Sequence, residues 1–168
     1  MQLAQGLLSE LESEAATTRK LLELCPEDQA GWKPHAKSFS LGDLALHLSN
    51  IPGWTTSTLA GTELDLAPPG GGGFKPPEFE SMTAVLDGFD ANVRGAIDAL
   101  GKASNEDLGV GWSLKNAGET LFTMPRMAVL RVWVLNHLIH HRGQLSVYLR
   151  LLDIPLPSIY GPTADTEG

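Results

Sequence analysis

The chain has one cysteine, Cys25, so no disulfide can form within it and nothing in its residues points to an oxidising compartment. Basic residues are scarce too: twelve Lys and Arg stand against twenty Asp and Glu, for a net charge of −8. A nucleic-acid surface needs several cations to displace counterions, and neither a basic stripe nor basic–aromatic interleaving occurs, so nucleic acid is not an expected partner. Long apolar runs are also missing. No segment approaches the ~20 apolar residues of a membrane span. The opening MQLAQGLLSELESEAATTRK carries acids and polar residues where a secretory leader would have a basic start and an apolar block. The expected location is the cytoplasm, with no membrane partner. Cys25, just before Pro26, reads as a small half-buried thiol, not as a nucleophile or ligand.

What is present is the composition of a globular protein: 42% apolar and 19% charged over 168 residues. That is enough for one domain, 1–168, with a full core. Four helical segments emerge. The first, about 2–24, repeats Leu3, Leu7, Leu11, Ala15 and Leu22 and stops at Pro26. The second starts near Leu41 after a Ser40 cap and is kinked or broken at Pro52-Gly53. The third, about 79–100, has the cleanest periodicity, with Gly101 just past its end. The fourth runs as one helix from about Pro125 to Asp153.

DLAPPGGGGFKPPEF, between the second and third, reads as a crossover loop able to gate a cleft; it lacks the GxxxxGK[ST] spacing of a phosphate loop. The alternation about Lys115-Asn116-Ala117-Gly118 permits a short β-hairpin between the third and fourth. The expected class is all-α, a four-helix bundle.

Three of five histidines fall within NHLIHHRGQL, residues 136–145. At about 100° per residue, with Leu130 at zero, Val134, Leu145, Tyr148 and Leu152 form a core stripe. His137 then lies at about −20°, His141 at about +20° and His140 at about −80°. His137 and His141, one turn apart on one face, can reach one ion. Burying two imidazoles costs free energy unless each finds a partner, which favours a ligand role over core packing. His35 reads as a surface residue after Pro34, whereas His47 sits on the flank of the second helix with Trp54, so His47 is the preferred third ligand. Three histidines with no acidic ligand suit Zn²⁺ or Ni²⁺ first, with Fe²⁺, Co²⁺ or Mn²⁺ compatible, and leave a coordination position open. Gln144, beside them, is a candidate hydrogen-bond support, with Asn136 and His140 behind it. Arg142, about 120° away, reads as a salt bridge or packing contact, Gly143 as a point of close helix approach, and Tyr148 as packing. Val132, Leu135 and Ile139 make a second apolar strip, as on a central helix or at a subunit interface.

LGDLALHLSNIPGW and NHLIHHRGQLSVYLRLLDIPLPSIYGP resemble the two signature regions of the DinB/YfiT-like metalloenzymes, a family distinct from the DNA polymerase that shares the DinB name. The resemblance implies an up-down-down-up bundle, usually dimeric, with a divalent metal on His47, His137 and His141. It also implies a small-molecule substrate. Related branches are S-transferases that use thiols such as bacillithiol or mycothiol. The leading expectation is therefore thiol transfer to a small electrophile, ahead of hydrolysis or a metal-binding stress-response role without turnover.

Overall fold

The computed structural model describes residues 3–73, 75 and 77–166; Gln2 of the first expected helix and Phe74 and Pro76 of the Pro/Gly-rich loop lie outside the described residues. The elements are α1 (Leu3–Leu22), α2 (Leu41–Asn50), α3 (Gly53–Ala60), β1 (Glu63–Asp65), α4 (Met82–Lys102), α5 (Asn105–Gly109), β2 (Gly111–Asn116), β3 (Glu119–Pro125), α6 (Arg126–Val129), a π-helical segment (Leu130–Asn136) and α7 (His137–Leu151). The protein is mostly helical, with one small sheet in the order β1-β2-β3. The class is thus not purely α.

Local chemistry sets most boundaries. Ser40 Oγ accepts from Asp43 N at 3.1 Å to start α2, and Ser81 Oγ accepts from Ala84 N at 3.1 Å to start α4. That cap places the start of α4 at residue 82 and not near 79, and the helix runs on through Gly101 to Lys102. The expected break at Pro52-Gly53 separates α2 from α3. There Asn92 Nδ2 donates to the Ser49 carbonyl at 2.9 Å, and a Cβ on Gly53 would come within 2.7 Å of Asn92 Oδ1. A side chain at position 53 would therefore push the Asn92 amide from this bond.

Strands β2 and β3 form the expected hairpin, turning at Ala117 (φ 52°) and Gly118 (φ 81°) as a two-residue loop with both φ positive. Strand β1 adds parallel to β2, tied by Lys115 Nζ to Glu63 Oε2 at 2.6 Å and by Gly118 N to Asp65 Oδ2 at 2.8 Å. Three residues are too short to show an alternation, so β1 and the one-turn α5 left no periodic trace in the sequence.

The core is built where α1 and α2 each pack on α4 and α7, around Leu11, Leu44, Leu48, Phe89, Leu138 and Leu145. The last helix departs from the uniform α-helix expected. In a π turn the hydrogen bonds run i→i+5, so each residue advances by less than about 100°. The π segment therefore turns α7 back by roughly one residue step. Leu138, Arg142, Leu145 and Leu149 now form the core stripe, and His137 and His141 lie half-buried on its flank, not at its centre. Leu135 is buried within its own chain while Val132 is exposed, so the second apolar strip does not exist as a strip. A Cβ on Gly143 would meet nothing within 4 Å, so this glycine permits no close approach.

Arg142, drawn into the core by the same rotation, is 1% exposed. Its Nη1 lies 2.5 Å from Glu14 Oε2 and donates to the Glu14 carbonyl at 3.1 Å; Nη2 meets Tyr160 Oη at 2.5 Å. Tyr160 Oη in turn donates to Glu14 Oε2 at 2.8 Å. One buried cation thus joins α1, α7 and the C-terminal segment. Tyr148 packs as expected, its ring edge-on to Trp32 with centroids 5.6 Å apart.

Candidate metal centre

His47 is carried by α2, whose start is fixed by Ser40 and whose other face, Leu44 and Leu48, is fully buried. His137 is the first residue of α7 after the π segment, and His141 follows one turn on. The packing of α2 on α7 brings their flanks together. His47 Nε2 lies 2.9 Å from His137 Nε2, which lies 3.0 Å from His141 Nε2. One nitrogen from each ring falls within 4.8 Å of the others. Zinc–nitrogen bonds of ~2.0–2.1 Å in a tetrahedral shell put nitrogens about 3.3 Å apart, so these rings need only a few tenths of an ångström to accept an ion.

The electrostatics favour the form of imidazole that binds a metal. Burial, and then the neighbouring His141, pushes the pKa of His47 down to about 4. Burial, followed by His141, His47 and His140, pushes His137 down to about 4 as well. His141 is also lowered, chiefly by burial. All three are therefore neutral at pH 7, each with a free lone pair.

Gln144 joins the ligands to their surroundings. Its Oε1 lies 2.7 Å from His141 Nδ1, and its Nε2 lies 3.2 Å from His140 Nε2. An amide nitrogen can only donate, so His140 Nε2 accepts, and Gln144 Oε1 is left to accept the Nδ1 proton of His141. That tautomer turns the lone pair of His141 Nε2 toward the other two histidines. His140 is exposed and meets the cluster twice, through Gln144 and by its ring standing edge-on to that of His141 with centroids 4.9 Å apart, while Asn136 is exposed and stands outside this chain of bonds. His35 lies in an exposed turn, its Nδ1 accepting from Lys37 N at 3.1 Å, and is not among the converging histidines.

Sequence reasoning set Trp54 beside His47 but missed Phe39 and Trp133. Phe39, Trp54 and Trp133 each lie within 6.3 Å, centroid to centroid, of at least one of the three histidines. A signal existed for Trp133, which stands four residues before His137, a spacing that shares a helix face. A separate groove of about 660 Å³, between the start of α1 and Met127 and Arg131, contains no such cluster of histidines.

The fold, the paired α2 and α7 flanks and the three histidines place the chain in a known class. The DinB superfamily model matches residues 10–145, and the chain belongs to that superfamily. Among curated proteins it is similar to the uncharacterized protein YrdA of Bacillus subtilis (strain 168), 26% identical over 164 residues, covering 98% of this chain and 92% of that one. Two solved structures share the fold. A DinB-like protein from Bacillus cereus ATCC 10987 aligns with a TM-score of 0.69 at 21% identity, over 93% of this chain and 97% of its own. The DinB-like protein YjoA of Bacillus subtilis aligns with a TM-score of 0.70 at 19% identity, over 94% and 99%. Among the described residues no helix is long and apolar enough to cross a membrane.

Proposed function

We propose that this chain is a divalent-metal-dependent enzyme that transfers the sulfur of a low-molecular-weight thiol to a small electrophile. One observation carries the reading: three imidazole nitrogens converge with no carboxylate among them. His47, His137 and His141 would hold the ion, with Zn²⁺ or Ni²⁺ first and Fe²⁺, Co²⁺ or Mn²⁺ within the same donor preference. When bound, such an ion supplies the positive charge that lowers a thiol's pKa toward neutrality. Sulfur presented in that state needs no side-chain base, in keeping with an all-nitrogen cluster. The chain's own work is positional. Burial keeps the imidazoles neutral, Gln144 orients His141, and His140 completes the polar surround. The thiol would lose its proton to solvent on ionising, and its sulfur would then bond to the electrophilic carbon as the leaving group departs with its electron pair.

The proposal extends to the whole molecule. Residues 1–168 act as one cytoplasmic DinB-like domain, in which α1, α2–α3, α4 and α6–α7 are the four members of an up-down-down-up bundle. Packing of α1 and α2 on both α4 and α7 supports that arrangement. Two copies associate as a homodimer, a reading supported by the exposed apolar side chains of Val132, Val147 and Leu151.

The test assays metal-quantified protein with glutathione, bacillithiol, mycothiol and coenzyme A against 1-chloro-2,4-dinitrobenzene. The expected result is metal-dependent conjugation with at least one thiol, lost together with the metal in His47→Ala, His137→Ala and His141→Ala. Undiminished metal in those variants would remove the ligand assignment. Metal-loaded protein that hydrolyses an ester but conjugates no thiol would point to a hydrolase. Metal with no turnover at all would point to a stress-response metal binder.

A further inference from the structure

The aromatic rings around the histidines have no part in the thiol chemistry described above. Phe39, in the segment entering α2, lies 5.7 Å from the His47 ring and 6.3 Å from that of His141. Trp54, at the start of α3, lies 5.7 Å from His47 and 5.3 Å from His137. Trp133, in the π segment, lies 6.2 Å from His137. Each ring borders a different part of the triangle. Trp54 is packed partly into the core, but Phe39 is 48% and Trp133 37% exposed. A single exposed aromatic is ordinary. Two flanking one set of convergent polar groups make the composition of a small-molecule site: mostly apolar walls with a few polar groups that fix orientation.

The backbone at Phe39 and the ring of Trp133 are each anchored to the rest of the fold. Tyr148 Oη donates to the Phe39 carbonyl at 3.3 Å. Trp133 lies flat against Phe122 of β3, with centroids 5.5 Å apart and planes inclined by 3°. Walls fixed in advance cost a ligand little ordering entropy on binding.

Charge decides what the walls accept. Aromatic faces attract cations, so three rings could form an ammonium cage. Beside them, however, three neutral imidazoles leave a divalent ion's charge uncompensated, and a second cation would be repelled. A simple anion would find the ion but gain nothing from the ring faces. A neutral planar group gains from the faces and is not repelled by the ion.

We propose that Phe39, Trp54 and Trp133 form a subsite for a neutral planar group, aromatic or conjugated, on the electrophile, and thereby set its specificity. This rests on the metal-site reading above, and the experiment separates the two. The full chain, loaded with Co²⁺, is titrated at pH 8 with imidazole and with 4-phenylimidazole, each followed by the visible spectrum of the cobalt. Both should bind, the phenyl compound about tenfold more tightly. Phe39→Ala and Trp133→Ala should each reduce that preference at least about threefold while leaving imidazole affinity unchanged. Phe39→Leu, which keeps apolar bulk without a ring face, should behave as Phe39→Ala does. Benzyltrimethylammonium should not compete. Equal affinity for the two azoles, a preference intact in both alanine variants, or competition by the quaternary cation would overturn the subsite while leaving the metal site standing. A chain that takes up no cobalt overturns the metal reading and the subsite with it.

Discussion

His141 shows how one side chain can depend on another for its chemistry. Its Nδ1 proton goes to Gln144, and its Nε2 faces His137. Replacing Gln144 by Ala frees the ring to rotate and change tautomer, so metal affinity should fall by about 10–100-fold with little change in helix content; competition with a coloured chelator measures it. The low pKa values of His47 and His137 make a second prediction, for metal-free protein. Their folded pKa of about 4 lies below the ordinary histidine value, so between the two the unfolded chain binds more protons. Their contribution to stability is therefore complete above about pH 6.5 and is lost as pH falls toward 4. Urea titrations across that range should show a steeper loss in wild type than in His47→Gln/His137→Gln. Cys25 follows the same physics in reverse: burial pushes its thiol up to about 12. Iodoacetamide should leave it unmodified at pH 8 until the protein is unfolded.

Among the elements, the π segment separates what could be read in the sequence from what could not. The wheel paired His137 with His141 correctly, because their spacing lies wholly within α7. It placed that pair at the centre of the core, because a constant step was carried across Leu130–Asn136. No residue pattern marks a π turn, whereas Ser40 and Pro52-Gly53 announce their cap and break through chemistry local to the chain. The segment also suggests a test. Deleting the exposed Val132 should restore α-helical winding, and because the lost step of about 100° equals the back-turn that the π segment made, His137 and His141 should keep their direction; metal binding and the circular-dichroism helix signal should both be retained. Arg142 was legible as an ion pair but not as a buried one, since its partner Glu14 is 128 residues away. Arg142→Ala strands that carboxylate in the core and should cost about 3–5 kcal/mol in a denaturant titration, whereas Arg142→Met with Glu14→Leu should cost much less.

For the molecule as a whole, the helical layout and the superfamily were legible because long amphipathic periods and the HHRGQL stretch carry them. The β2–β3 hairpin and the nearness of Trp54 to His47 were legible as well; β1 and α5 were too short to leave a period, and Phe39 comes beside the histidines only through contacts between separate segments. Metal binding and folding should be coupled. His47 and the His137–His141 pair come from helices 90 residues apart, and an unfolded chain offers no such site. An ion present at about 100 times its Kd should add about 2.7 kcal/mol of stability, a rise in Tm of roughly 5–10 °C for a chain of this size. EDTA should reverse it. The most direct test of the central claim is an anomalous-difference map from crystals of protein loaded with Zn²⁺ or Ni²⁺. The account predicts one peak bonded to the Nε2 atoms of His47, His137 and His141 at about 2.0–2.1 Å, with Gln144 still on His141 Nδ1. A peak at any other set of residues, or one bonded through Nδ1, would contradict it.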